Sequence, residues 1–133
     1  LLPKMDLIIL VSNDEQSFQV ERDILKHSVT IENLIMSLNL EYPDTDPSTI
    51  PIPLRDVRGE ILQKVIEWLN HHKEDHVQEG VDDDDDVIVP DWDRAFLQPL
   101  LNTTLLEMAN AAKDLDIKPL LNYACRVIAD SFD

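Results

Sequence analysis

Apolar and polar positions follow two different periods along this chain. Leu7-Ile8-Ile9-Leu10-Val11 is a short apolar run rich in β-branched residues that stops at Ser12-Asn13-Asp14, the pattern of a buried strand entering a turn. Ser17-Phe18-Gln19-Val20 then alternates polar and apolar, so a half-buried second strand pairs with the first as a hairpin. Beyond Glu21, Ile24 and Leu25 mark a short helix. Val29, Ile31, Leu34, Ile35 and Leu38 mark a second one, with Ser28 as its cap and Glu32 favoured by the dipole of its first turn. The stretch from Glu41 to Ser48 holds Pro43, Asp44, Asp46 and Pro47 and reads as a loop. In Ile50-Pro51-Ile52-Pro53-Leu54 the prolines share one face, and a proline cannot donate to a sheet ladder, so this segment is an edge strand.

The second half of the chain has helical spacing. Ile61, Leu62, Val65, Ile66, Trp68 and Leu69 give an amphipathic helix that ends in the polar His71-His72-Lys73. Trp92, Phe96 and Leu97 mark a short helix stopped by Pro99, and Thr104 to Leu115 carries Leu105, Met108, Ala109, Ala112 and Leu115 on one face. A last helix follows, with Asp116 as the expected cap, Pro119 in the first turn and Leu120, Leu121, Ala124, Cys125 and Ile128 as the expected buried stripe. Strand, strand, helix, helix, strand and then four helices read as an α+β or mainly helical domain, with a small three-stranded sheet flanked by about six helices.

Composition narrows the function more than the fold. The 133 residues suit one domain, residues 1–133, with a core of its own. There are 27 acidic against 11 basic residues, a net charge of -16, which repels phosphate backbones and disfavours nucleic acid as a partner. Ten of the acids lie between Glu74 and Asp93 with no Lys or Arg among them; without them 17 acids face 11 bases, a net of -6. That concentration predicts a flexible acidic loop at about 74–91. No apolar run is long enough for a membrane helix, and the start Leu1-Leu2-Pro3-Lys4 does not have the order of a signal peptide, so an intracellular protein is expected.

Candidate chemistry is sparse. Two glycines, Gly59 and Gly80, provide neither a phosphate loop nor a dinucleotide fingerprint. The single cysteine, Cys125, reads as a small core residue, which excludes an internal disulfide. His72 and His76 stand at i, i+4 beside carboxylates and read as solvent-exposed, while Asp82 to Asp86 lacks the ligand spacing of a calcium loop. With no nucleophile and base pair evident, no metal, cofactor or catalytic residue is assigned, and a binding module is favoured over an enzyme.

Several stretches resemble one family. They are Ser28-Val29-Thr30-Ile31 opening a helix, Lys64-Val65-Ile66-Glu67-Trp68 followed by His71-His72-Lys73, and Leu115-Asp116-Ile117-Lys118-Pro119-Leu120-Leu121. Trp92-Asp93-Arg94, Phe96-Leu97, the acidic stretch and Ile52-Pro53-Leu54 leading to Val57 stand in the same order. Together they resemble the S-phase kinase-associated adaptors of SCF (cullin-RING) ubiquitin ligases over about Leu7 to Ala129. The resemblance implies a BTB/POZ fold and a non-catalytic adaptor in the cytoplasm and nucleus. It would link the amino-terminal domain of a cullin to the F-box of a substrate receptor, and a weak homodimer also fits.

By the same resemblance Lys113 and Asp114 face the cullin, standing where the family has Asn-Tyr; losing that aromatic removes an anchor worth about 2 kcal/mol or more. Phe96, Leu97, Leu105, Leu106, Met108 and Ala109 are the residues expected to face the F-box. The resemblance places the family's further receptor-binding helices from about Asp133 onward, where this sequence stops, so they are expected to be absent. Gln98-Pro99-Leu100-Leu101 replaces the family's Lys-Val-Asp-Gln. The alternative is a BTB-fold structural subunit of a non-ligase assembly; an elongin-C-like adaptor fits the early stop but not the tryptophan motifs.

Overall fold

Why the chain folds as it does is clearest at its hairpin. The computed structural model describes residues 7–76 and 88–131, and in it β1 (Leu7–Val11) pairs antiparallel with β2 (Ser17–Glu21), Leu10 opposite Phe18 and Ile8 opposite Val20. That register turns Ile8, Leu10 and Val20 inward, as the alternation predicts. Glu15 takes a positive φ of 65° in the connecting turn, and the tip reaches across to the next layer. There Asn13 N–H donates to the Val57 carbonyl at 2.8 Å, and Asp14 Oδ1 accepts from Gly59 N–H at 2.8 Å. Asp14 thereby supplies the cap that Arg58, at the N-cap of α2, lacks from its own side chain.

A 3-10 helix (Arg22–His27) leads into α1 (Val29–Glu41), and β3 (Ile52–Pro53) follows the proline-rich loop. β3 runs parallel to β1 on the side away from β2, giving the order β2-β1-β3 and placing Pro53 on a sheet edge as expected. Then come α2 (Gly59–His71), α3 (Asp91–Leu97), α4 (Asn102–Asp114) and α5 (Lys118–Asp130). The α+β architecture expected from the periodicity is the one observed. α4 packs on α5 and on α2, and one buried cluster joins the sheet (Ile8, Leu10, Ile52) to α2 (Leu62, Val65, Trp68) and to the last helices (Met108, Ala112, Leu120, Ala124). No helix among the described residues is long and apolar enough to cross a membrane.

Four local expectations need correction or fall outside the description. Asp116 does not cap α5: it takes φ 51° in the tight α4–α5 turn, a conformation Asp tolerates, and Ile117 occupies the cap position without a side-chain bond. Cys125 is exposed rather than buried, because α5 faces the core along Leu120, Ala124 and Val127, and Cys125 is rotated off that line. His72 is buried at 9% exposure instead of solvated, whereas His76 is exposed. Most of the expected acidic loop, including Asp82 to Asp86, lies outside the described residues.

Candidate functional site

Two surfaces stand out. The first is built where the start of α1 meets the turn between α4 and α5. Ser28 is fully buried; its Oγ accepts from Ile31 N–H at 3.1 Å, capping α1, and donates to the Leu115 carbonyl at 2.5 Å. Next to it, Thr30 Oγ1 donates to the Asp114 carbonyl at 2.9 Å, and Val29 and Thr30 N–H groups point at the carbonyls of Asp116 and Leu115 at 3.3 and 3.4 Å. One serine and one threonine thus fix the orientation of a turn some 85 residues away in sequence. Lys113 and Asp114 are the last two residues of α4, where it enters this turn, with their side chains exposed.

Beside the turn lies an open groove of about 220 Å³, with Leu34, Pro53, Leu54 and Val57 among its walls and Arg55, Asp56 and Asp114 supplying its charge. α1 buries only Ile31 and Ile35, and leaves Val29, Leu34, Met36 and Leu40 in water, with Tyr42 just past its end. Met36 is 57% exposed and Leu40 85%. Apolar residues left in water this way on one short helix make its outer side a candidate contact surface. Sequence reasoning placed this helix but did not single out its exposed side; the signal was available in Met36 and Leu40, which do not fit the Ile31–Ile35 stripe.

The second surface is at α3 and the start of α4. Of the six residues expected to face a receptor, Leu97, Leu105 and Met108 are enclosed in the core, at 0, 2 and 0% exposure, so they support the surface from beneath and do not form it. For Leu105 and Met108 that inward orientation is what the α4 periodicity itself demands, and Leu97 closes α3 against the core. Ala109 sits at the edge of burial, Phe96 is half-buried, and Leu106 points outward together with Leu101. Phe96 stacks on Trp92 with ring centres 5.0 Å apart, and Trp92 stacks in turn on His71 at 3.6 Å and an interplanar angle of 4°.

A buried polar network underlies that stack. Asp93, in the first turn of α3, has no exposure; its Oδ1 accepts from Trp68 Nε1 at 2.6 Å and lies 2.8 Å from His72 Nε2. The other face of the same imidazole meets Asp75 Oδ2, 2.5 Å from Nδ1. His27 Nε2 donates to the His72 carbonyl at 2.8 Å, and burial pushes the His27 pKa down. On the far side of α2, Arg58 makes a two-pronged pair with Glu107 at 2.6 and 3.1 Å and reaches Glu60 at 2.7 Å; the bond raises the Arg58 pKa and lowers that of Glu107. Among the described residues, no group of three or more His, Cys, Asp or Glu is arranged to hold a metal ion.

This arrangement is an α+β scaffold with two candidate surfaces, and comparison with known proteins identifies the scaffold. A family model described as "Skp1 family, tetramerisation domain" matches residues 6–74. The chain is 38% identical over 129 residues to "SCF ubiquitin ligase complex protein SKP1b" of Dictyostelium discoideum, covering 95% of this chain and 75% of that protein. It is 33% identical over 132 residues to "Suppressor of kinetochore protein 1" of Schizosaccharomyces pombe (95% and 76%). It is 36% identical over 126 residues to "Skp1-related protein" of Caenorhabditis elegans (92% and 70%). The chain belongs to the Skp1 family, and its fold is of the BTB/POZ type.

Proposed function

We propose that this protein is a non-catalytic adaptor of an SCF-type E3 ubiquitin ligase, holding a cullin on one surface and an F-box substrate receptor on the other. The observation that carries the reading is likeness across 95% of the chain to a relative named as an SCF ubiquitin ligase complex protein. The α1 side, with the groove and the Lys113–Asp114 turn, suits the cullin. The Phe96, Leu101 and Leu106 region suits the receptor. Each pairs exposed apolar side chains with a polar rim, the anatomy of a protein interface. The protein acts in the cytoplasm and nucleus, as the resemblance implies.

The test is capture of this chain by a cullin amino-terminal domain and, separately, by an F-box peptide. The pair Lys113→Asn with Asp114→Tyr restores an aromatic at the turn and tightens cullin binding about tenfold or more while leaving F-box binding unchanged. Failure to bind either partner by a well-folded chain would refute the adaptor reading.

A further inference from the structure

We propose that the free chain pairs with a second copy of itself through the outer side of α1, the two helices lying antiparallel about a two-fold axis. Val29, Asn33, Met36 and Leu40 stand at i, i+4, i+7 and i+11, one line along α1 on the side opposite the buried Ile31 and Ile35. Val29, Met36 and Leu40 are 46, 57 and 85% exposed, and Asn33 is exposed between them.

The spacing of this line reads the same from either end. Turning a second α1 end for end about the midpoint between Leu34 and Ile35 sets Val29 opposite Leu40 of the second copy and Asn33 opposite its Met36. A two-fold interface has to be self-complementary in this way, because each contact is made twice with the roles exchanged. The flanks obey it as well: Glu32 falls opposite Ser37, and Thr30 opposite Asn39, so no two like charges meet.

Charge selects both the occupant and the direction. The chain carries a net charge of -16, yet the four residues of the line are uncharged, so two copies approach here without the repulsion that the rest of the surface imposes. Glu41, Asp44 and Asp46 make the far end of α1 acidic. At its start lies the α4–α5 turn, to which Val29 and Thr30 are bonded, and there Lys113 and Lys118 balance Asp114 and Asp116. The helix dipole adds a positive field at that start. Antiparallel pairing sets each acidic end against such a start, whereas parallel pairing would press two acidic ends together.

Three apolar side chains per copy are too few for the about 800 Å² per partner of a standard stable interface. The pair is therefore reversible, with a Kd between about 10 μM and 1 mM. Asn33 weakens it further, since an amide set into an apolar seam costs affinity. The same side of α1 suits the cullin, so pairing and cullin binding exclude each other. That consequence rests on the adaptor reading above; the pairing itself does not.

Sedimentation equilibrium of the full chain from about 10 μM to 1 mM tests the pairing. A monomer–dimer equilibrium is expected, weakened about tenfold or more by Leu40→Glu and tightened about tenfold by Asn33→Leu. A monomer at every concentration overturns the proposal, as does a dimer that either substitution leaves unchanged. Disulfide trapping in a Cys125→Ser background reads the direction. Val29→Cys and Leu40→Cys together should give a reducible dimer on mild oxidation, because the two positions are too far apart to bridge within one helix. Neither alone should do so. No trapped dimer from the pair, or a dimer from Val29→Cys alone, overturns the antiparallel seam. Absence of cullin binding bears on the adaptor reading and not on these results.

Discussion

Replacing Ser28 with alanine tests the joint between α1 and the α4–α5 turn. The Oγ makes two buried bonds, one accepted from Ile31 N–H at 3.1 Å and one donated to the Leu115 carbonyl at 2.5 Å. Losing an N-cap costs about 1 kcal/mol. Leaving a buried carbonyl short of its donor adds about 1–2 kcal/mol, at the lower end here because Thr30 N–H also points at Leu115 O from 3.4 Å. The sum is about 2 kcal/mol, equivalent to a fall of roughly 7 °C in Tm for a domain of this size. Urea unfolding followed by tryptophan fluorescence measures it, with an unchanged m value showing that the loss lies in the folded state. Thr30→Val removes only the more open bond to the Asp114 carbonyl and should cost about 0.5–1 kcal/mol. A loss below about 1 kcal/mol for Ser28→Ala at constant m would refute the claim that this serine ties the two segments together.

Other expectations follow from the same geometry. Trp68→Phe keeps the ring but deletes the Nε1–H donor to the buried Asp93, and should cost about 2 kcal/mol in the same urea assay, more than the volume change explains. Cys125→Ser should change stability by less than about 0.5 kcal/mol because the side chain is exposed, and a thiol reagent should label Cys125 in the folded protein. The His72 ring lowers the Asp75 pKa, the Arg58 guanidinium that of Glu107, and the Ser12 hydroxyl that of Asp14. Because these acids bind protons more weakly folded than unfolded, their contribution is present above the ordinary carboxylate range and is lost as pH falls below about 4; thermal melts from pH 5 to pH 2.5 should show it, and Glu107→Gln should reduce it.

Much of the fold was legible because burial imposes a period on the sequence. Ile8, Leu10 and Val20 alternate inward, and Ile61, Leu62, Val65, Trp68 and Leu69 trace the buried stripe of α2. His72 belongs to that stripe, four residues after Trp68 and seven after Val65, but a polar side chain conceals the match, and its partner Asp93 lies on another helix. Cys125 shows the converse limit. Periodicity locates the centre of a stripe at Ala124 and not which flank a neighbouring helix covers, so a small apolar residue one step off centre was misplaced. The candidate surfaces were harder. Resemblance pointed to the Leu97, Leu105 and Met108 region, but their helical spacing already committed all three to the core, leaving Leu106 and Phe96 outside. The joint that positions Lys113 and Asp114 depends on bonds from Ser28 and Thr30 across a long sequence separation, which no local pattern contains.

The adaptor claim is tested most directly by assembling three purified components: this chain, a cullin amino-terminal domain and an F-box receptor, separated by size-exclusion chromatography with light scattering. The account predicts a single ternary species of summed mass that forms only when this chain is present, with Met36→Glu weakening the cullin arm and Leu106→Glu the receptor arm. Cullin and receptor eluting apart from a folded chain, at concentrations where another Skp1-family adaptor joins them, would contradict it.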